Sequence, residues 1–329
     1  MATLNSTKSK LGVGHKSESE WQAVQRQQHR RQLLNRILLT IVTGIIVFLF
    51  FYPIWFWVTA SVKTFSGIFQ MPPQLLGFEA IGSWWSTVIG GRPYLEVVQE
   101  TVGANAGTGG GGTVGYYVVP FLINSAITGV LSTLVVIGVA TPTAYALSRF
   151  NPRGKQNIVF FILSTRFMPA FAAVLPITQI YRFIGWDDTR IGLVLAHVLI
   201  NLPLAILLLK SFFDDVPTDL DDAAMVDGCN RWGAFWRIIV RYVLPGMGAA
   251  AVLCLIFSWN EFLFSLYLVR IPDLSTLPVF LAGFDTASGG TEWGFLAAAG
   301  TAAMIPVFIF ILFVQRSLIR GLTLGAVRG

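Results

Sequence analysis

The chain has 329 residues, 54% of them hydrophobic and only 12% charged, with a mean hydropathy of +0.66. Soluble domains carry about 25% charged residues, so the composition excludes an ordinary soluble fold and points to a membrane protein. The formal charge of +6 does not indicate a nucleic-acid partner, because the basic residues are dispersed along the chain.

Residues 1–36 form a polar, basic arm. Its stretch 21–36, WQAVQRQQHRRQLLNR, reads either as a basic juxtamembrane anchor or as an interfacial amphipathic helix. A bilayer core requires roughly 20 apolar residues in a helix, and the first segment to qualify is 37–60. It is too long for a signal-peptide core and follows a polar arm, so it reads as a retained transmembrane helix. A long link, 61–119, comes next and contains GANAGTGGGGTVG at 103–115. Gly107, Gly109 and Gly112 formally satisfy G-x-G-x-x-G, but no strand precedes them and no helix-forming unit follows. The segment therefore reads as a flexible insertion and not as a dinucleotide site.

A membrane region follows over 120–316. Five further spans are expected near 120–147, 158–183, 191–209, 243–269 and 295–314, and residues 317–329 form a tail. The expected fold class is all-α: a polytopic membrane protein with six transmembrane helices. The basic residues then set its orientation. Seventeen Lys and Arg fall on one side of the six spans and five on the other, with Arg166 left inside a span. By the positive-inside rule both termini are cytoplasmic and the Gly-rich link is external.

Between the fourth and fifth spans lies TDLDDAAMVDGCNRW, residues 218–232. Six of the 17 acidic residues fall between Asp214 and Asp227. Pro217 stops the preceding element, and Thr218 or Asp219 can cap a new helix. Asp219, Asp221 and Asp222 sit in its first turn, where carboxylates favour the positive end of the helix dipole. Leu220, Ala223, Ala224 and Asp227 then share one face, made thin by its alanines. Gly228 permits the left-handed conformation that ends such a helix, and residues 231–240 restart as a second one leading to Leu244-Pro245. The result is a short cytoplasmic helix–turn–helix. It reads either as a docking knob for a partner or as an ordinary capped surface helix.

The residues DAAMVDGCNRWGAFWRIIV resemble the EAA motif of membrane subunits of bacterial ATP-binding-cassette importers. Asp222-Ala223-Ala224, Gly228 and Ile238 keep its spacing, Asp222 standing for the usual Glu and Arg241 for the usual Pro. Segments 124–150, 163–181, 258–268 and 315–329 are similar to the carbohydrate-importing branch, above all to the smaller permease of maltose-type systems. The resemblance implies a type I importer permease fold in the inner membrane, whose coupling helix lies near 219–232. It implies ATPase-coupling roles for Asp222, Ala223, Ala224, Asp227 and Gly228. It further implies a second related permease, two cytoplasmic ATP-binding subunits and an external solute-binding protein, with a sugar or polyol as cargo.

Polar residues inside spans are costly and face a cavity or another helix. Asn124, Asn201, Asn260 and Glu261 are the candidate pathway-lining residues, each with interhelical bonding as the alternative. Arg166 is explained by snorkelling if it lies near the cytoplasmic end. Trp55, Trp57 and Trp259 are candidates to stack on sugar rings or to anchor at membrane interfaces. His15, His29 and His197 are scattered and suggest no metal site, and Cys229 and Cys254 are not expected to pair. The sequence has no G-x-x-x-x-G-K-[ST], no H-E-x-x-H and no G-x-S-x-G, so neither nucleotide hydrolysis nor any cofactor or catalytic residue is expected in this chain. A stand-alone secondary transporter or channel is the alternative, but a secondary transporter would need ion-coupling residues and often shows inverted repeats. No convincing repeat is present, and the acidic residues crowd outside the spans.

Overall fold

A computed structural model describes residues 18–92, 96–97, 117–150, 152–283 and 293–326. Every regular element among the described residues is a helix. The chain divides into two units, Met1–Trp57 and Val58–Gly329.

The described part of the first unit is one helix, α1 (Glu18–Ala60), which runs on three residues into the second unit. The basic stretch 21–36 is therefore continuous with the first span rather than a separate interfacial element. Pro53 sits inside α1. Thr40 Oγ1 donates back to the Arg36 carbonyl at 2.8 Å, so this polar side chain spends its hydroxyl on its own helix.

The second unit begins with two short helices, α2 (Phe65–Ile68) and α3 (Ser83–Val88). The link expected after the first span is thus structured in its first part. Trp84 of α3 is fully buried, and its indole N–H donates to the Lys63 carbonyl at 2.8 Å. The Gly-rich stretch 103–115 lies outside the described residues.

The core elements follow: α4 (Val119–Arg149), α5 (Lys155–Phe167), α6 (Ala170–Ile184), α7 (Arg190–Asp214), α8 (Asp219–Val226) and α9 (Arg231–Ala234). A π turn (Phe235–Ile239) joins α9 to α10 (Val240–Trp259). After α11 (Leu263–Leu268) come a 3₁₀ turn (Pro272–Leu274), α12 (Leu277–Ala282) and α13 (Trp293–Ala326).

Among the described residues, five helices are long and apolar enough to cross a membrane: 29–60, 119–149, 190–214, 231–259 and 293–312. The sixth span is the pair α5–α6, bent by 98°. Sequence alone reads 158–183 as one rod. The break falls where Met168 is extended (ψ 128°) ahead of Pro169, because a residue before proline is pushed out of the helical region. The fifth span is also interrupted. α10 stops at Trp259, and α11 restarts after Asn260, Glu261 and Phe262.

The helices α4, α7 and α10 form the central packing unit, joined through Val136, Ala140, Ala144, Ala205, Leu209 and Val243. Alanines on this seam let backbones approach closely. Gly246 carries this furthest, since a Cβ there would lie 2.5 Å from the ring of Phe212. A second cluster gathers Trp84, Val88, Val118, Trp259, Leu277 and Phe295 at the end where α4 begins. A third joins α6, α7 and α11 through Val174, Tyr181, Leu193, Ala196, Phe264 and Leu268.

Candidate functional site

The acidic stretch builds α8, eight residues long, at the end of the unit where α4 and α7 terminate. Asp219, Asp221 and Asp222 do occupy its first turn. The expected side-chain cap is absent: Thr218 has helical backbone angles and makes no capping bond. The turn is closed instead by backbone, with Asp221 N–H donating to the Thr218 carbonyl at 2.9 Å. The other end is as expected. Gly228 has φ +87°, and a methyl group in its place would meet nothing within 4 Å, so glycine is required by the backbone angle and not by crowding. Asn230 then caps α9, its Oδ1 accepting from Gly233 N–H at 2.7 Å.

The alanine face is divided. Ala224 is 1% exposed and packs into the protein's own interior, as does Asp221. Asp222, Ala223, Asp227 and Gly228 are exposed, and Val226 is 87% exposed. Ala223 and Ala224 therefore do not present one surface, and Ala224 supports α8 from beneath.

Asp221 has a role that sequence alone does not reveal. Its Oδ1 accepts from the Tyr145 hydroxyl at 2.7 Å and its Oδ2 from Arg149 Nε at 2.7 Å. The same guanidinium donates to the Phe213 carbonyl at 3.1 Å and to the Val216 carbonyl at 2.8 Å. A carboxylate that reads as a dipole partner is thus a buried, charge-assisted anchor. Its partners lie 72 and 76 residues away, beyond the reach of any local pattern. Beside it, Pro142, Tyr145, Ala146, Phe150, Arg231 and Trp232 line a groove of ≈ 680 Å³, with the Arg231 guanidinium 5.3 Å from the Phe150 ring centre.

The polar residues of the spans lie elsewhere and mostly bond helices together. At the opposite end of α4, Asn124 Nδ2 donates to the Asp273 and Ser275 carbonyls at 2.7 and 3.1 Å, and its Oδ1 accepts from Arg190 at 3.1 Å. Asn201 Nδ2 donates to Ser258 Oγ at 3.0 Å, and Ser258 Oγ lies 3.0 Å from Ser132 Oγ, so one network links α7, α10 and α4. Glu261 caps α11, accepting from the Phe264 and Ser265 N–H groups at 2.7 and 3.0 Å, with His197 Nε2 at 3.4 Å. Asn260 is exposed and its Nδ2 closes α10 by donating to the Ile256 carbonyl at 2.8 Å. Trp259 is 4% exposed in an apolar cluster, edge-on to Phe310, and offers no face for a sugar ring. Trp55 and Trp57 lie on α1, in the first unit. Arg166 is at the end of α5 remote from Lys155, its guanidinium 5.1 Å from the Phe257 ring centre. The same guanidinium donates to the Ile200 carbonyl at 3.4 Å, so a ring and a backbone oxygen hold it at the bend. Cys229 and Cys254 are both free.

Several apolar membrane-length helices, a bent helix pair and a short charged helix clamped at one end of the bundle define a multi-pass membrane protein. The chain belongs to the family described as "Binding-protein-dependent transport system inner membrane component", whose profile matches residues 111–324. It is similar to the trehalose transport system permease protein SugB of Mycobacterium tuberculosis, 38% identical over 209 residues, covering 63% of this chain and 76% of that one. It is similar along more of its length to the trehalose/maltose transport system permease protein MalG of Thermococcus litoralis, 29% identical over 300 residues, covering 91% of this chain and 99% of that one. A crystal structure of a bacterial transporter importing the acidic polysaccharide alginate shares the fold. Its TM-score is 0.64 at 21% identity, over 87% of this chain and 97% of that chain. The protein is thus a permease of the binding-protein-dependent, ATP-binding-cassette transport class, a transport component and not an enzyme.

Proposed function

We propose that this chain pairs with a second related permease to form the transmembrane pathway for a sugar or polyol. In this reading α8 docks on one of two cytoplasmic ATPase subunits, and an external solute-binding protein delivers the cargo. The observation that carries it is the two-sidedness of α8. Its outer face is small, exposed and acidic, while its inner face is locked through Asp221 to the end of α4, whose Arg149 also holds the end of α7. A helix built this way can receive a push from outside the bilayer and pass it inward as a rigid-body movement.

The charge asymmetry supports the orientation: α8 lies on the Lys- and Arg-rich side, with both termini. The names of the relatives support the cargo class, since both concern trehalose. A second alginate-transporter structure, with TM-score 0.54 over 88% of this chain, is in complex with a sugar-bound periplasmic protein, which is in keeping with external delivery. Of the four pathway candidates, Asn260 has the exposed side chain, at a break in a span, and is the one proposed to face the pathway. Asn124, Asn201 and Glu261 are proposed to hold helices in register.

Reconstitution tests the proposal. Proteoliposomes holding this chain, the second permease and the ATPase are expected to take up sugar when ATP and loaded binding protein are present. Liposomes with this chain alone are expected to show no uptake. Robust uptake by the chain alone would identify a stand-alone transporter and overturn the reading.

A further inference from the structure

We infer that Arg149 is a positioning residue that makes α8 a lever on the membrane helices, by fastening α4, α7 and α8 on one guanidinium. The inference rests on the coupling role proposed for α8 and adds the part through which force leaves it.

Arg149 is the last residue of α4. Its planar group donates to Asp221 Oδ2 on α8, to the Phe213 carbonyl within the last turn of α7 and to the Val216 carbonyl just beyond it. One turn earlier on α4, Tyr145 holds the other Asp221 oxygen. Both carboxylate oxygens are therefore gripped by one helix, which fixes the orientation of α8 as well as its distance. The Arg149 and Asp221 side chains are only 8% and 12% exposed, so water does not compete for these bonds. The guanidinium also places a positive charge against the carbonyls at the α7 C-terminus, where the helix dipole favours it.

The chain itself supplies no comparable stiffness. α8 is tied to α7 by the four residues 215–218 and to α9 by 227–230, the latter containing the left-handed Gly228. Neither link reaches α4. Leu220 and Ala224 pack beneath α8, and the clamp adds the directional bonds that carry a displacement of α8 to α4 and α7. Lysine cannot substitute, because a single ammonium does not reproduce the planar fork that meets three acceptors.

The test is Arg149→Lys in the full transporter complex. Membrane abundance, ATPase co-purification and ATP hydrolysis without binding protein are expected to persist. Transport, and the stimulation of hydrolysis by sugar-loaded binding protein, are expected to fall together by about 5- to 150-fold, the usual span of a coupling free energy. Tyr145→Phe deletes one hydroxyl and is expected to show the same split to a smaller degree. Wild-type transport in Arg149→Lys would overturn the inference. So would loss of the ATPase from the complex, which would make the clamp part of docking. If Arg149→Lys does not accumulate in the membrane, Tyr145→Phe decides: the split supports the clamp, and unchanged transport removes it. Ala223→Asp separates the two readings, because it tests the outer face of α8 and leaves the clamp intact. Unimpaired transport in Ala223→Asp removes the docking role itself, whereas a defect there with normal Arg149→Lys removes only the lever.

Discussion

Aspartate introduced at two adjacent alanines of α8 should damage the protein in two different ways. Ala224 is 1% exposed and lies three residues beyond Asp221 on the same inner face. A carboxylate there enters a closed site already holding one negative charge. Arg149 cannot serve it, since its donors are engaged by Asp221, Phe213 and Val216. An uncompensated buried charge costs about 3–5 kcal/mol, a large share of the roughly 5–15 kcal/mol that holds a typical domain together. Ala224→Asp should therefore be scarce in membranes. Ala223 is exposed, so Ala223→Asp should alter stability by no more than about 0.5 kcal/mol, and abundance should be normal. If the outer face docks on an ATPase, the new charge must be desolvated there, and each ~1.4 kcal/mol of that penalty lowers affinity tenfold. Immunoblots of membranes and co-purification of the ATPase read the two effects separately. Full ATPase association with full transport in Ala223→Asp would refute the docking face. Normal abundance of Ala224→Asp would refute the packing on which the division of α8 rests.

Met71→Cys and Val226→Cys, each in a chain lacking Cys229 and Cys254, should be labelled from opposite sides of the membrane by an impermeant thiol reagent. Both positions are 87% exposed, so a difference reports sidedness, and labelling of Val226→Cys from outside would reverse the topology. Gly246→Ala should lower the thermal midpoint of the purified protein by the equivalent of about 1–3 kcal/mol, because its methyl meets Phe212 in a packed seam. Gly228→Ala should cost about 1 kcal/mol through its backbone angle alone, and a larger loss at Gly228 than at Gly246 would contradict the packing. Deleting the glycine-rich insertion 103–115 should leave assembly and transport intact; uptake assays on the deletion check this.

Hydropathy carries the spans because apolar length is a property of consecutive residues. The outermost turns of 119–149 and 190–214 differ from expectation by only a few residues, but the fifth long helix runs 231–259 where 243–269 is expected, and 158–183 is a bent pair. The interruptions are less legible. Pro169 stands at the sharp bend, yet Pro142, Pro176, Pro203, Pro245 and Pro306 sit inside continuous helices. A proline weakens a helix locally, and which one breaks depends on what its surroundings can satisfy. The site is legible in outline: a short acidic helix ended by a left-handed Gly228. Which of its faces points inward is not, because that depends on Arg149 and Tyr145 meeting Asp221 across more than 70 residues. Likewise the sequence does not show that Glu261 accepts from the backbone N–H groups of α11.

The bent pair α5–α6 also carries information about time. α5 has 13 residues and α6 has 15, so at 1.5 Å per residue each is about 20–23 Å long, short of a bilayer core of about 30 Å. Neither limb suffices alone to cross as an upright rod. The buried face of α6, Val174 and Tyr181, packs on Leu193 and Ala196 of α7 and on Phe264 and Leu268 of α11. Those last residues leave the ribosome long after the bend does. The α6 limb is therefore braced both by the helix that follows it in the chain and by one that emerges later.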